Sequence, residues 1–139
     1  EVVLRRLAFL PPDRGLPNFG LISCDGSGAF LLRKAVAGFG LPRYGAGCAL
    51  WPLYQAMTQP HVPLAARLQT NDAQVFEARA LAVYADPAAS VPVLRSTMIV
   101  RASALPLTEG VVKIGQTCRI CPRDGCKARR EPSIHGMSA

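Results

Sequence analysis

The sequence predicts an α+β domain: a mostly antiparallel sheet of five strands, one short helix, and a cysteine-rich C-terminal tail. Three observations carry that expectation. Half of the 139 residues are hydrophobic, enough for one domain with its own core and too few for two comfortable ones. In NFGLISCDGSGAFLLRK two apolar runs flank Asp25-Gly26-Ser27-Gly28, a hairpin signal because glycine tolerates the positive φ of tight turns. At Pro63 the apolar period then changes from helical spacing to strict alternation.

Taken in order, EVVLRRLAFL is apolar with two arginines and no clean period, and PPDRGLP after it breaks regular structure. Residues 1–17 are therefore expected to be a linker or the end of an upstream helix. The domain proper is expected over residues 18–112, opening with the hairpin. GFGLPRYGAG is a glycine-rich loop around Arg43 and Tyr44. In CALWPLYQAMTQP, Leu50, Leu53, Tyr54 and Met57 recur at helical spacing, which predicts a short helix over residues 49–58 closed by Pro60. Pro52 is tolerable only near the start of such a helix.

Three alternating segments follow. PLAARLQT sets Leu64, Ala66 and Leu68 against Arg67 and Gln69, and Asn71-Asp72 makes a turn. QVFEARALAVYA sets Phe76, Ala78, Ala80, Ala82 and Tyr84 against Glu77 and Arg79. VLRSTMIVRA sets Leu94, Ser96, Met98 and Val100 against Arg95, Thr97, Ile99 and Arg101. Such alternation is what a sheet with one covered and one wetter face produces. The order strand–strand–helix–strand–strand–strand is shared with small sensor domains of the GAF and PAS kind, a fold-level analogy that carries no function by itself.

Residues 113–139 form the cysteine-rich tail, expected to pack on the same domain. The formal net charge is +7, and from Lys113 to Arg130 six basic residues face one acid, Asp124. That balance favours an anionic partner, or a negatively charged group held within the tail. Five cysteines, three of them crowded together, do not read as a secreted disulfide framework, so a reducing, cytoplasmic setting is expected. No stretch has the length of apolar sequence that spans a bilayer, so no membrane partner is expected. The chain opens on Glu1 rather than methionine and is expected to be a piece of a longer protein. With nine acids, none clustered, and no G-x-S-x-G, H-E-x-x-H or phosphate-cradling loop, an enzyme is not expected.

Cys118 and Cys121 form a C-x-x-C pair, a spacing that lets two sulfurs converge on one centre, and Cys126 follows behind the flexible Gly125. Three cysteines leave a four-ligand centre one short. Zinc would find its fourth ligand in a remote cysteine or His135. An oxidised [4Fe–4S] cluster on four thiolates is negatively charged, which suits the basic residues Arg119, Arg123, Lys127, Arg129 and Arg130. Of the remaining cysteines, Cys24 ends an apolar strand and reads as a small hydrophobe. Cys48 precedes a helix, where a thiolate gains from the N-terminus, and is the better candidate.

TCRICPRDGCKARREPSI resembles the C-terminal signature of the short-chain fatty acyl transcriptional regulators, bacterial proteins with an N-terminal helix-turn-helix. PRYGAGCALWPLYQA is similar to their second signature, and LISCDGSGAFLLRK to the hairpin before it. Where members associated with a cluster tend to read Cys-Pro-x-Trp-Asn, this chain reads Cys48-Ala49-Leu50-Trp51-Pro52. The resemblance implies a sensory domain that responds to short-chain acyl-coenzyme A as effector and binds a [4Fe–4S] cluster through Cys48, Cys118, Cys121 and Cys126. It implies contact with DNA through an upstream domain, with a homodimer as a candidate assembly. A zinc-stabilised basic module that binds nucleic acid directly is the alternative, though its tail lacks aromatics between the charges for base stacking.

Other residues read more plainly. Trp51 and Tyr54 are expected in the core rather than lining a ligand cavity, and Arg43 is expected to be a solvated loop residue. The alanine face Ala78, Ala80 and Ala82 leaves room for a packed helix or an acyl chain, the helix being the expected occupant. His61 and His135 fall in turns with no catalytic pattern around them.

Overall fold

The computed structural model describes residues 1–11, 15–106 and 109–135, so Pro12, Asp13 and Arg14 of the PPDRGLP break lie outside the described residues. Helix α1 (Val2–Ala8) leads into the hairpin of β1 (Gly20–Asp25) and β2 (Phe30–Lys34). A long loop then reaches α2 (Pro52–Gln55), continued by a 3₁₀ turn over Ala56–Thr58. Strands β3 (Leu64–Gln69), β4 (Val75–Tyr84) and β5 (Leu94–Ala102) follow, then β6 (Val112–Lys113) and a 3₁₀ turn over Cys118–Ile120.

The hairpin forms where the glycines predicted it. Gly28 N–H donates to Asp25 O at 3.0 Å, the Asp25 carboxylate accepts from Ser27 N–H, and Gly28 takes φ +81°. The period of two holds in β3 and β4, and β4 pairs antiparallel with both β3 and β5 so that Ala78 lies opposite both Ala66 and Val100. The expected wetter face of β5 does not exist: Ser96 to Val100 are all buried, Ile99 beneath α1. Helix α2 starts later than its apolar spacing predicts. Trp51 is extended (φ −66°, ψ 141°) because a residue before proline is pushed out of the helical region, so Pro52 becomes the first helical residue.

The expected five-stranded antiparallel sheet needs correction. Among the described residues the sheet has six strands in the order β2-β1-β5-β4-β3-β6, and β6 runs parallel to β3 through Leu68↔Val112 and Gln69↔Lys113. Two residues are too short to display any period, so this strand is invisible to patterning. It exists because the chain crosses from β5 to the far edge of the sheet, where Ile114 N–H donates to Gln69 O at 2.9 Å. That crossing delivers the cysteine tail to the β3 edge.

The inner face of the sheet carries Ile22, Cys24, Leu68, Phe76, Ala78, Ala80, Ala82, Met98 and Val100, covered by Trp51, Leu53 and Ala56. The alanines of β4 are what allow α2 to lie close, so helix packing fills the space on that face. Trp51, wholly buried, is the centre of this layer. Its ring stacks on Phe30 at 6.1 Å and meets Phe39 at 5.1 Å, and its Nε1–H donates to Gly115 O at 2.9 Å. On the outer face α1 covers only the β1–β5 side, where Ala8, Leu21 and Ile99 pack with Leu4, Leu7, Phe19 and Leu32.

Candidate metal centre

The tail is a series of turns, each specified locally. Cys121 N–H donates to Cys118 O at 3.2 Å, which folds the C-x-x-C pair into one 3₁₀ turn. Gly125, at φ +66°, reverses the chain so that Cys126 returns toward the pair, and Arg129 N–H then donates to Cys126 O at 3.1 Å. Cys48 arrives from the loop before α2, its carbonyl accepting from Trp51 N–H at 3.0 Å. Cys48, Cys118, Cys121 and Cys126 all line one small cavity, together with Leu50, Gly115 and Arg129. Gly115 is required there, since a Cβ at that position would lie 2.8 Å from Cys121 Sγ.

The other candidates lie elsewhere. Cys24 is fully buried in β1, and neither it nor the exposed His135 lines the cavity. Burial, reinforced by the neighbouring Asp25 charge, pushes the Cys24 thiol up to about 12 from 9.0. A thiol held neutral by the fold favours folding below its unfolded pKa, and that contribution is lost as pH rises through 9 toward 12 because only the unfolded chain ionises. Urea titrations should therefore show stability declining over that window, and Cys24→Ala should flatten the decline. Arg43 is exposed over the Tyr44 ring, as its loop position predicts.

The cavity cysteines are not electrostatically alike. Burial raises the Cys48 thiol, hydrogen bonds from the Gly115 and Leu50 backbones oppose the rise, and the Cys118 and Cys126 thiolates add to it. For Cys118 burial is the largest single influence, yet the backbone N–H, the side chain and the charge of Arg130 together outweigh it and bring the thiol below its ordinary value. Cys118 is thus easier to ionise than Cys48.

Two arginines organise the tail. The Arg129 guanidinium donates to four carbonyls, those of Cys118, Glu131, Cys121 and Arg123, at 2.6–3.1 Å. A rigid five-donor fork suits such a task where a lysine would not. Arg130 reaches across the fold to Gly47 O at 2.7 Å, joining the tail to the Cys48 loop. That loop is itself tied to the hairpin by Tyr54, whose hydroxyl accepts from Gly47 N–H at 2.8 Å and donates to Gly28 O at 2.9 Å. The sequence reading counted the tail arginines as counter-charge and missed Arg129 as a backbone staple. It also missed Asn71, whose Nδ2 donates to Cys121 Sγ at 3.6 Å while Oδ1 accepts from Arg123 at 3.1 Å. Asn71 signalled only a turn.

Four thiols around one cavity, with a glycine wall that a methyl would invade and basic groups beside them, fit the donor set of an iron–sulfur cubane. Among the described residues no group of three or more His, Cys, Asp or Glu side chains is gathered closely enough to hold a metal ion, so the four thiols share one cavity wall without being drawn in around a single point.

A second feature lies on the outer sheet face. Beside α1 is a cleft of about 570 Å³, lined by the apolar Leu7, Phe19 and Ile99 and by Arg67, Arg79, Arg101 and Glu77. Its size falls in the range of small-molecule sites. Glu77 is committed to Arg101 at 2.6 Å, and Arg79 is exposed.

Residues 10–138 match the family described as short-chain fatty acyl coenzyme A regulator, C-terminal. The chain is 29% identical over 153 residues to the HTH-type transcriptional regulator RamB of Mycobacterium tuberculosis, a match that covers 96% of this chain and 32% of RamB. It is 30% identical over 149 residues to a propionyl-CoA carboxylase regulator of Cereibacter sphaeroides, again covering 96% of this chain and 32% of the relative. The chain therefore spans about a third of the length of the curated relatives it matches. Among solved structures, a Mycobacterium tuberculosis transcriptional regulator superposes with a TM-score of 0.81 at 25% identity, over 99% of this chain and 46% of that one. Among the described residues no helix is long and apolar enough to cross a membrane.

Proposed function

The chain belongs to the short-chain fatty acyl coenzyme A regulator family, matching its C-terminal domain, and from that premise we propose that it is the regulatory domain of a bacterial transcriptional regulator. In this reading Cys48, Cys118, Cys121 and Cys126 hold a [4Fe–4S] cluster, the effector is a short-chain acyl-coenzyme A, and DNA is contacted by another part of the protein. The observation that carries it is the convergence of Cys48 with the three tail cysteines on one cavity. When bound, the cluster supplies a covalent cross-link between the loop before α2 and the tail. The protein's own contribution is to hold those two segments in register through Arg130, Trp51 and Gly115, so that occupancy of the centre is felt at both. Anaerobic reconstitution with iron and sulfide is the test. A brown protein with four irons per chain supports the reading, and a colourless protein that takes up one zinc overturns it.

A zinc-stabilised nucleic-acid-binding module is the weaker reading. His135 is away from the cavity, and the Arg129 and Arg130 guanidiniums are turned onto backbone carbonyls rather than outward.

For the effector, the cleft beside α1 supports the reading by charge and shape. Leu7, Phe19 and Ile99 share the cleft with the exposed Arg79, while Arg67 is engaged by Ser103 Oγ and the Leu105 and Pro106 carbonyls and Arg101 by Glu77. The net positive charge beside an apolar lining suits an anion carrying a short apolar end. Calorimetry with propionyl-coenzyme A should give binding that weakens as salt is raised, and Arg79→Glu should weaken it about tenfold, about 1.4 kcal/mol. Unchanged affinity in that variant would move the effector off this face.

A further inference from the structure

We propose that Asn71 is a positioning residue for the cysteine centre, holding the Cys121 sulfur by an N–H···S hydrogen bond that sets how firmly and at what potential the centre is held. The proposal rests on the reading that the four cysteines bind a cluster.

Asn71 lies at the tip of the β3–β4 hairpin, fifty residues before Cys121 in the chain. Its place is set by the hairpin and not by the tail. Thr70 N–H donates to Gln74 O at 2.9 Å, Ala73 N–H donates to Thr70 O at 3.0 Å, and the Thr70 hydroxyl donates to the Asp72 carboxylate. The amide has a defined orientation as well. Arg123 offers only donors, so the Asn71 oxygen must face it, at 3.1 Å. The NH₂ end is then left facing Cys121 Sγ, at 3.6 Å. Gly115 completes the arrangement, since a Cβ there would crowd Cys121 Sγ at 2.8 Å and stand 3.7 Å from Asn71 Nδ2.

A donor aimed at a metal-bound thiolate does two things. It orients the sulfur and withdraws charge from it, and groups that do this outside the ligand set alter affinity and redox behaviour. Hydrogen bonds to the sulfurs are among the determinants of cluster potential, and because the reduced cluster is the more negative form, a donor raises the potential. Asn71 thereby links the centre to the β3–β4 hairpin, and through Arg123 to the tail itself.

The test compares anaerobically reconstituted wild type with Asn71→Asp and Asn71→Leu. Aspartate preserves the turn and the Arg123 contact while removing the donor, and leucine removes the donor without adding charge. Midpoint potentials are read by dithionite titration with electron paramagnetic resonance, and firmness by the rate at which an iron chelator bleaches the protein. Both variants should reduce with an equilibrium constant about tenfold smaller, about 59 mV lower for one electron, and bleach several-fold faster. Wild-type potential and bleaching rate in both variants would overturn the role of Asn71 while leaving the cluster standing. Failure of the wild-type protein itself to take up iron would overturn the cluster reading, and this inference with it. A residue that served only the turn would leave the potential of Asn71→Leu unmoved, since leucine brings no charge near the centre.

Discussion

Replacing Cys48, Cys118, Cys121 or Cys126 singly with serine is expected to abolish anaerobic iron incorporation, while Cys24→Ser leaves it nearly intact. Each of the four lines the shared cavity, and a serine hydroxyl at neutral pH is neither ionised nor soft enough to replace a thiolate. Cys24 sits in β1 on the inner face, fully buried among Ile22, Phe76 and the β4 alanines, and its thiol is held protonated. Iron uptake followed by absorbance and iron content decides the matter. Retained uptake in Cys48→Ser with loss in Cys24→Ser would transfer the fourth position to Cys24. The pH dependence has a fixed sign. Binding must strip the proton from every ligand thiol, and Cys48 is raised by burial, so affinity should increase with pH. After the same reconstitution treatment Cys48→Ser should hold its tail less firmly than wild type, because only the Arg130–Gly47 and Trp51–Gly115 hydrogen bonds then offset the roughly 1–2 kcal/mol of backbone entropy lost on fixing each tail residue. Faster protease cleavage between Lys113 and Arg130 is the readout.

Trp51→Ala should destabilise the domain by about 3–5 kcal/mol, the usual cost of emptying a large aromatic site. Domains of this kind hold together by about 5–15 kcal/mol, so the variant should sit near its unfolding threshold at 37 °C. The ring is wholly buried, touches Phe30, Phe39 and Tyr54, and donates to Gly115 O, leaving that carbonyl without this partner when removed. The effect should exceed simple core loss. Gly115 forms the wall of the cysteine cavity, so weakening its anchor should also lower iron occupancy in whatever protein stays folded. Trp51→Phe keeps much of the apolar contact and lacks the indole donor. It should recover most of the thermal stability and less of the iron. Equal recovery of both would show that the Gly115 hydrogen bond has no part in shaping the cavity.

Local chemistry settled a good deal of this protein before any tertiary contact was known. Asp25-Gly26-Ser27-Gly28 makes its turn because one carboxylate and one glycine satisfy it within four residues. The β3 and β4 segments alternate because neighbouring side chains on a strand must face opposite ways, whereas β5 is buried on both faces once α1 covers Ile99. The Cys118-x-x-Cys121 turn and the pre-proline kink at Trp51 are equally local. What the sequence left open depends on pairing across long separations. The sixth strand has no pattern of its own and exists only because β3 offers an edge. The alanine face of β4 reads alike for a helix or a ligand until α2 is seen to occupy it. Cys48 was favoured over Cys24 by its place before a helix, but its sharing a cavity with the tail depends on Arg130 reaching Gly47, 83 residues away, and on Trp51 reaching Gly115, 64 residues away. Asn71 carried no signal beyond its turn, since a hydrogen bond to a sulfur fifty residues distant leaves no periodicity to read. Period, turn and spacing are written residue by residue along the chain. Which turn meets which is decided by the sheet that brings them together.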